Sequence, residues 1–122
     1  MNESKNFGLF ISVLRTSHSM SSQDLAKKAG ISNGYLSQLE HGIRHNPDPY
    51  VIMKIAKVLD LTQEESAELF DMYSKATGQI SPDIIEYIKS SKAVQNALRY
   101  SCNENVPDEV WEQFIEKLKN EQ

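Results

Sequence analysis

Apolar side chains recur along this chain at helical intervals. Phe7, Phe10, Ile11 and Leu14 fall at i, i+3, i+4 and i+7, which sets one stripe on a helix over about Asn6 to Ser17. Ser21 or a neighbour caps a short second helix with Leu25, Ala26 and Ala29 inward, ending at Gly30; Asp24 is a weak capping-box partner. In Gly30-Ile31-Ser32 a residue tolerant of positive φ precedes an apolar plug and a new N-cap, so the chain turns sharply into a third helix over roughly Asn33 to His41. Gly42 closes it, and Asn46-Pro47-Asp48-Pro49 holds Ile43 to Pro49 as a loop.

Val51, Ile52, Ile55, Ala56 and Leu59 mark a fourth helix, and the capping box Thr62-Gln63-Glu64-Glu65 opens a fifth with Leu69, Phe70 and Tyr73 inward. Gly78 to Pro82 is the one polar connection that reads as a boundary. Beyond it Ile84, Ile85 and Ile88 mark a sixth helix and Ala93, Val94, Ala97 and Leu98 a seventh. An eighth, opened by Pro107, carries Val110, Trp111, Phe114, Ile115 and Leu118. No stretch alternates with a period of two, so the expected fold is all-α: five helices in residues 1–78, then a short C-terminal helical extension over 79–122.

Length and composition fit this picture. At 122 residues, 39% hydrophobic and 25% charged, the chain suits one compact domain or a headpiece with a small appended unit. The N-terminus MNESKNFG lacks a basic flank and an apolar run, and no apolar stretch is of spanning length; a cytoplasmic location without membrane contact is expected. Cys102 is the only cysteine, which leaves no internal disulfide and no cysteine-based zinc module. The net charge of −4 hides an asymmetry. Residues 1–60 hold seven Lys/Arg against five Asp/Glu, whereas residues 61–122 hold six against twelve, so only the first half suits a polyanion.

Two short helices joined by a glycine turn with an apolar plug form a unit whose second helix can enter a DNA major groove. The residues sharpen that reading: Phe7-Gly8, Ile11, Leu14-Arg15, Leu25 to Ser32, Tyr35 to Glu40, Gly42, Arg44 and Lys54-Ile55-Ala56. With these, residues 7–61 resemble the helix-turn-helix family of the lambdoid repressors and Cro, which includes many xenobiotic-response-type regulators. The resemblance implies a lambda-repressor-like domain that binds double-stranded DNA.

It also implies the site. Asn33, Gly34, Ser37 and Gln38 take the positions that face base edges. Asn and Gln suit adenine, to which an amide bonds bidentately, whereas Gly34 brings no side chain to read with. Ser22 stands where the family often has Gln; with Gln23, at a helix N-terminus, it falls where phosphate is held. Arg44, His45 and Asn46 correspond to a phosphate-facing loop, a solvated turn being the plainer reading of the last two. Tyr35 is open between phosphate contact and bracing the helix. Arg15 and Glu40 match a structural salt bridge.

His18, His41 and His45 lack metal-ligand spacing, and no nucleophile-base pair, P-loop or dinucleotide fingerprint occurs, so neither a catalytic site, a metal nor a cofactor is expected. For Val110, Trp111, Phe114, Ile115 and Leu118 the bland reading is completion of the core. The functional readings are a homodimer surface matching a two-fold operator, or a grip on a partner protein, as in an antitoxin or inhibitor that autoregulates its operon. The function expected is a repressor acting as a dimer on a palindromic operator.

Overall fold

The computed structural model describes residues 2–44 and 46–121. The described residues form eight helices and no strand: α1 (Asn2–Ser17), α2 (Ser22–Ala29), α3 (Asn33–Glu40), α4 (Pro49–Val58), α5 (Gln63–Thr77), α6 (Pro82–Lys89), α7 (Lys92–Asn103) and α8 (Asp108–Asn120). The fold is all-α. Helix α1 begins four residues before the first apolar position of its stripe had suggested, and Pro49, expected in the loop, instead opens α4, where its missing N–H costs nothing.

Local chemistry sets the ends. Ser21, Ser32 and Thr62 each accept a backbone N–H three residues on, and Glu65 returns the bond to the Thr62 N–H, completing the capping box. Gly30 and Gly78 close α2 and α5 in the left-handed region at φ 71° and 74°.

The chain divides into two compact units, residues 1–86 and 87–122. The connection at 78–82, read from sequence as the boundary, lies inside the first unit, where Ser81 and Pro82 are buried. In that unit Phe7, Ile11 and Leu14 of α1 meet Leu25 and Ala29 of α2, Leu36 and Leu39 of α3, Ile52 and Ile55 of α4, and Leu69, Phe70 and Tyr73 of α5 in one core. Phe7 stands edge-on to Tyr73 with ring centroids 6.0 Å apart. Burial raises the Tyr73 phenol above its ordinary pKa. Its hydroxyl reaches the Pro47 carbonyl at 3.5 Å, at the outer edge of hydrogen-bond distance.

The second unit holds α7 and α8, joined by a turn in which Val106 N–H bonds the Ser101 carbonyl and Asn105 takes φ 53°. Among the described residues, none of its side chains is buried. Trp111 is half-buried, edge-on to Phe114 with centroids 6.1 Å apart. Val110, Phe114, Ile115 and Leu118 stay between 44% and 49% exposed.

Candidate nucleic-acid interface

The glycine turn works as its sequence requires. Gly30 turns its N–H back to the carbonyls of Ala26 and Lys27, Ile31 N–H bonds the Ala26 carbonyl at 2.9 Å, and the half-buried Ile31 side chain pins the corner against the core. Ser32 then restarts the helix, its Oγ accepting from Tyr35 N–H at 3.0 Å. On α3 the burial follows the helical period: Leu36 and Leu39 are 1% exposed, whereas Asn33, Gly34, Ser37 and Gln38 are all exposed. The four expected base-facing residues therefore share one open polar face.

Two devices hold that helix from behind. The Arg15 guanidinium forks onto Glu40, Nε to Oε2 at 2.8 Å and Nη2 to Oε1 at 3.1 Å, and Nη1 donates to the Met20 carbonyl at 3.1 Å. The hydrogen bond to Glu40 raises the Arg15 pKa further above its already high ordinary value. The guanidinium therefore stays charged, and its fork ties α1 to the last residue of α3. Gly8 is the other device: a Cβ there would meet the carbonyl oxygens of Leu39 and Glu40, the latter at 2.6 Å, so only glycine lets α1 cross α3 this closely.

The exit from α3 was only partly legible from sequence. Gly42 at φ 73° turns the chain back so that Ile43 N–H bonds the Gln38 carbonyl at 2.9 Å. This brings Arg44 over the Tyr35 ring, 4.1 Å from its centroid, and Nη2 donates to Gln38 Oε1 at 3.0 Å. Tyr35 in turn accepts from Asp48 N–H at 3.1 Å, so its hydroxyl braces the following loop. Arg44 Nε is enclosed and without a partner among the described residues. The pairing of Arg44 with Gln38 could not be read from the residues alone, because it depends on the left-handed turn at Gly42.

Elsewhere, Ser22 and Gln23 lie exposed in the first turn of α2, and Asn46 is exposed in the loop. His45 lies outside the described residues. His41 donates from Nδ1 to the Ser37 carbonyl at 2.7 Å, which keeps its ring at the end of the polar face. No three His, Cys, Asp or Glu side chains converge among the described residues, and no described helix is long and apolar enough to cross a membrane.

Comparison with known proteins meets this geometry. Residues 11–66 match the family described as helix-turn-helix. Over 75 residues, 58% of the chain, the sequence is 35% identical to the HTH-type transcriptional regulator SlrR of Bacillus subtilis, covering 47% of that protein. Over 57 residues, 47% of the chain, it is 42% identical to an uncharacterised HTH-type transcriptional regulator of Mycobacterium tuberculosis, covering 40% of it. The chain thus spans about half, or less, of the length of these relatives. Among solved structures, the SinR protein/SinI protein complex is similar at 22% identity with a TM-score of 0.49, over 95% of this chain and 99% of that one.

Proposed function

We infer that this chain, whose residues 11–66 form a helix-turn-helix domain of the lambda-repressor and Cro type, is a sequence-specific DNA-binding transcriptional regulator. The observation that carries this reading is α3: apolar and buried behind, polar and open in front, and clamped at its end by Arg15. A major groove is wide enough for one helix, and amide and hydroxyl side chains offer the donors and acceptors that base edges require. The exposed first turn of α2, with Ser22 and Gln23, suits a phosphate through its free N–H groups. The positive balance of residues 1–60 favours approach by this half, and the acidic remainder disfavours the opposite orientation.

The regulator acts as a repressor, and two copies read a palindromic operator whose half-sites lie about 34 Å apart on one DNA face. The second copy is held through α7 and α8. A unit of about 36 residues is too small to bury a core alone, and two such units supply four helices and a shared apolar centre. The rival occupant, a partner protein, fits the same exposed face of α8, flanked by Glu109, Glu112 and Glu116.

Binding of the full chain to selected and scrambled duplexes at several salt concentrations tests the first claim. A selected duplex bound orders of magnitude more tightly, with affinity falling steeply with salt, is the expected result; equal binding to both would remove it. Light scattering tests the second. A dimer at micromolar concentration supports pairing through the tail, whereas a monomer that becomes a complex only with a different protein supports the rival. Repression itself is read from a promoter-reporter fusion, whose output falls when the chain is expressed.

A further inference from the structure

Gln38 and Arg44 meet across the end of α3, and their contact fixes which end of the amide is available. A guanidinium carries five N–H donors and no acceptor, so the Gln38 atom 3.0 Å from Arg44 Nη2 is the amide oxygen. The Nε2 hydrogens are left for an outside acceptor on an exposed residue. Arg44 is not free to withdraw at little cost. Its guanidinium is stacked 4.1 Å from the Tyr35 ring centroid, Tyr35 is held by Asp48 N–H, and the backbone at residue 43 is bonded to the Gln38 carbonyl.

We propose that Arg44 makes Gln38 a reader of guanine rather than adenine; this rests on the DNA-reading role assigned to α3 above. The major-groove edge of guanine presents two acceptors, N7 and O6, which match the two hydrogens of one amide nitrogen. Adenine presents the N7 acceptor beside the N6 donor, and its N6–H would have to share the amide oxygen with the Arg44 guanidinium, which already occupies one of that oxygen's two lone pairs, whereas both Nε2 hydrogens stand free for guanine. Cytosine presents only a donor, and thymine a single acceptor beside its methyl group. Arg44 is therefore a positioning residue for specificity, acting through Gln38 whether or not it also touches phosphate.

The test is sequencing of duplexes selected from a random pool by the full chain, alongside Gln38→Ala, Arg44→Met and Arg44→Lys. Methionine keeps an apolar stem over Tyr35 without a donor, and lysine keeps a donor. Loss of preference at one position in Gln38→Ala identifies the pair that residue 38 reads. Wild type is expected to favour guanine there by about tenfold over adenine. Arg44→Met shifts that position alone to adenine, and Arg44→Lys retains guanine.

A second measurement does not depend on any variant folding: replacing that guanine by 7-deazaguanine, which lacks the N7 acceptor, lowers wild-type affinity, whereas inosine, with the same major-groove edge, leaves it intact. Adenine at the Gln38-dependent position in wild type, guanine retained by Arg44→Met, or indifference to 7-deazaguanine each overturns the proposal while leaving DNA reading by α3 standing. Enrichment of no sequence by wild type overturns both.

Discussion

Helices α3 and α8 are opposite solutions to the same pattern. Each is amphipathic, but α3 buries Leu36 and Leu39 and shows its polar side, whereas α8 buries nothing and shows its apolar side. The four exposed aliphatic and aromatic residues of α8 each stand to gain roughly 1 kcal/mol when covered, about half the value of a full burial. That total is comparable to the stability of a small domain. A face like that of α3 is finished as protein and open to a polar ligand; a face like that of α8 is unfinished until another apolar surface meets it.

The largest effect that would break this contrast is expected from Trp111→Ala combined with Phe114→Ala. Truncating the aromatic pair removes the centre of the proposed dimer surface, and the dimer dissociation constant should rise at least about a hundredfold, or about 2.7 kcal/mol. Native-state hydrogen exchange should then show residues 87–122 losing protection while residues 1–86 keep theirs. Equal loss in both units would mean that the second is no separate unit and that its apolar face is not where copies meet.

Gly8→Ala probes the finished side from behind. The added methyl meets the Leu39 and Glu40 carbonyls, backbone atoms that cannot swing away as a flexible side chain would, so α3 itself must shift. We expect a loss of about 1–3 kcal/mol in thermal or denaturant unfolding. DNA affinity should fall by more than the unfolded fraction explains, because the reading face is displaced in the molecules that remain folded. Unchanged affinity per folded molecule would show that the clamp on α3 has slack.

These two sites also mark what the sequence could and could not tell. The caps at Ser21, Ser32 and Thr62 and the turn at Gly30 were legible because each is decided within about five residues. The core was legible because the helical period repeats through all five of the first helices. Gly8 stood among the residues that carry the family resemblance, but nothing nearby reveals that it faces carbonyls some thirty residues away. The family resemblance implied a phosphate contact for Arg44 and said nothing of its contacts within the chain. Its turn back onto Tyr35 and Gln38 follows from the left-handed backbone at Gly42. The partner of α8 was illegible for a different reason: an apolar stripe states that something must cover it, not what.

Gly34→Ala probes the same helix from the front. A Cβ there would find only Ser32 Oγ, at 3.8 Å, so the protein itself has no need of glycine at this position. Alanine is the better helix former by up to about 1 kcal/mol, which for a domain of this size is roughly 4–8 °C in melting midpoint. Operator affinity should nonetheless fall if α3 reads the groove as proposed, because the added methyl would then stand between the helix and the duplex. A variant that is both more stable and an equally tight binder would place the closest approach elsewhere on the helix.

The smallest expected effect comes from Glu65, and it sharpens the difference between the two units, since the Arg15–Glu40 ion pair and the His18–Glu65 contact both lie in the first. Its carboxylate accepts the Thr62 N–H at 3.0 Å and lies 3.2 Å from His18 Nε2, and these contacts, the Thr62 bond first, hold its pKa below the ordinary glutamate value. A carboxyl group whose pKa is depressed on folding contributes stability above its unfolded value of about 4.3 and loses it as pH falls through the folded value. Glu65→Gln retains an acceptor for the cap but carries no charge, so its unfolding curve should lack that increment. The two proteins should differ by a small amount near pH 5 and converge in acid, where wild-type Glu65 is protonated and equally uncharged. Glu65 is partly exposed and screened by salt, which keeps the difference small, so it should shrink further in 1 M salt. Curves that stay parallel down to the acid limit would mean that the neutral hydrogen bonds of the cap, and not the charge of Glu65, carry its contribution.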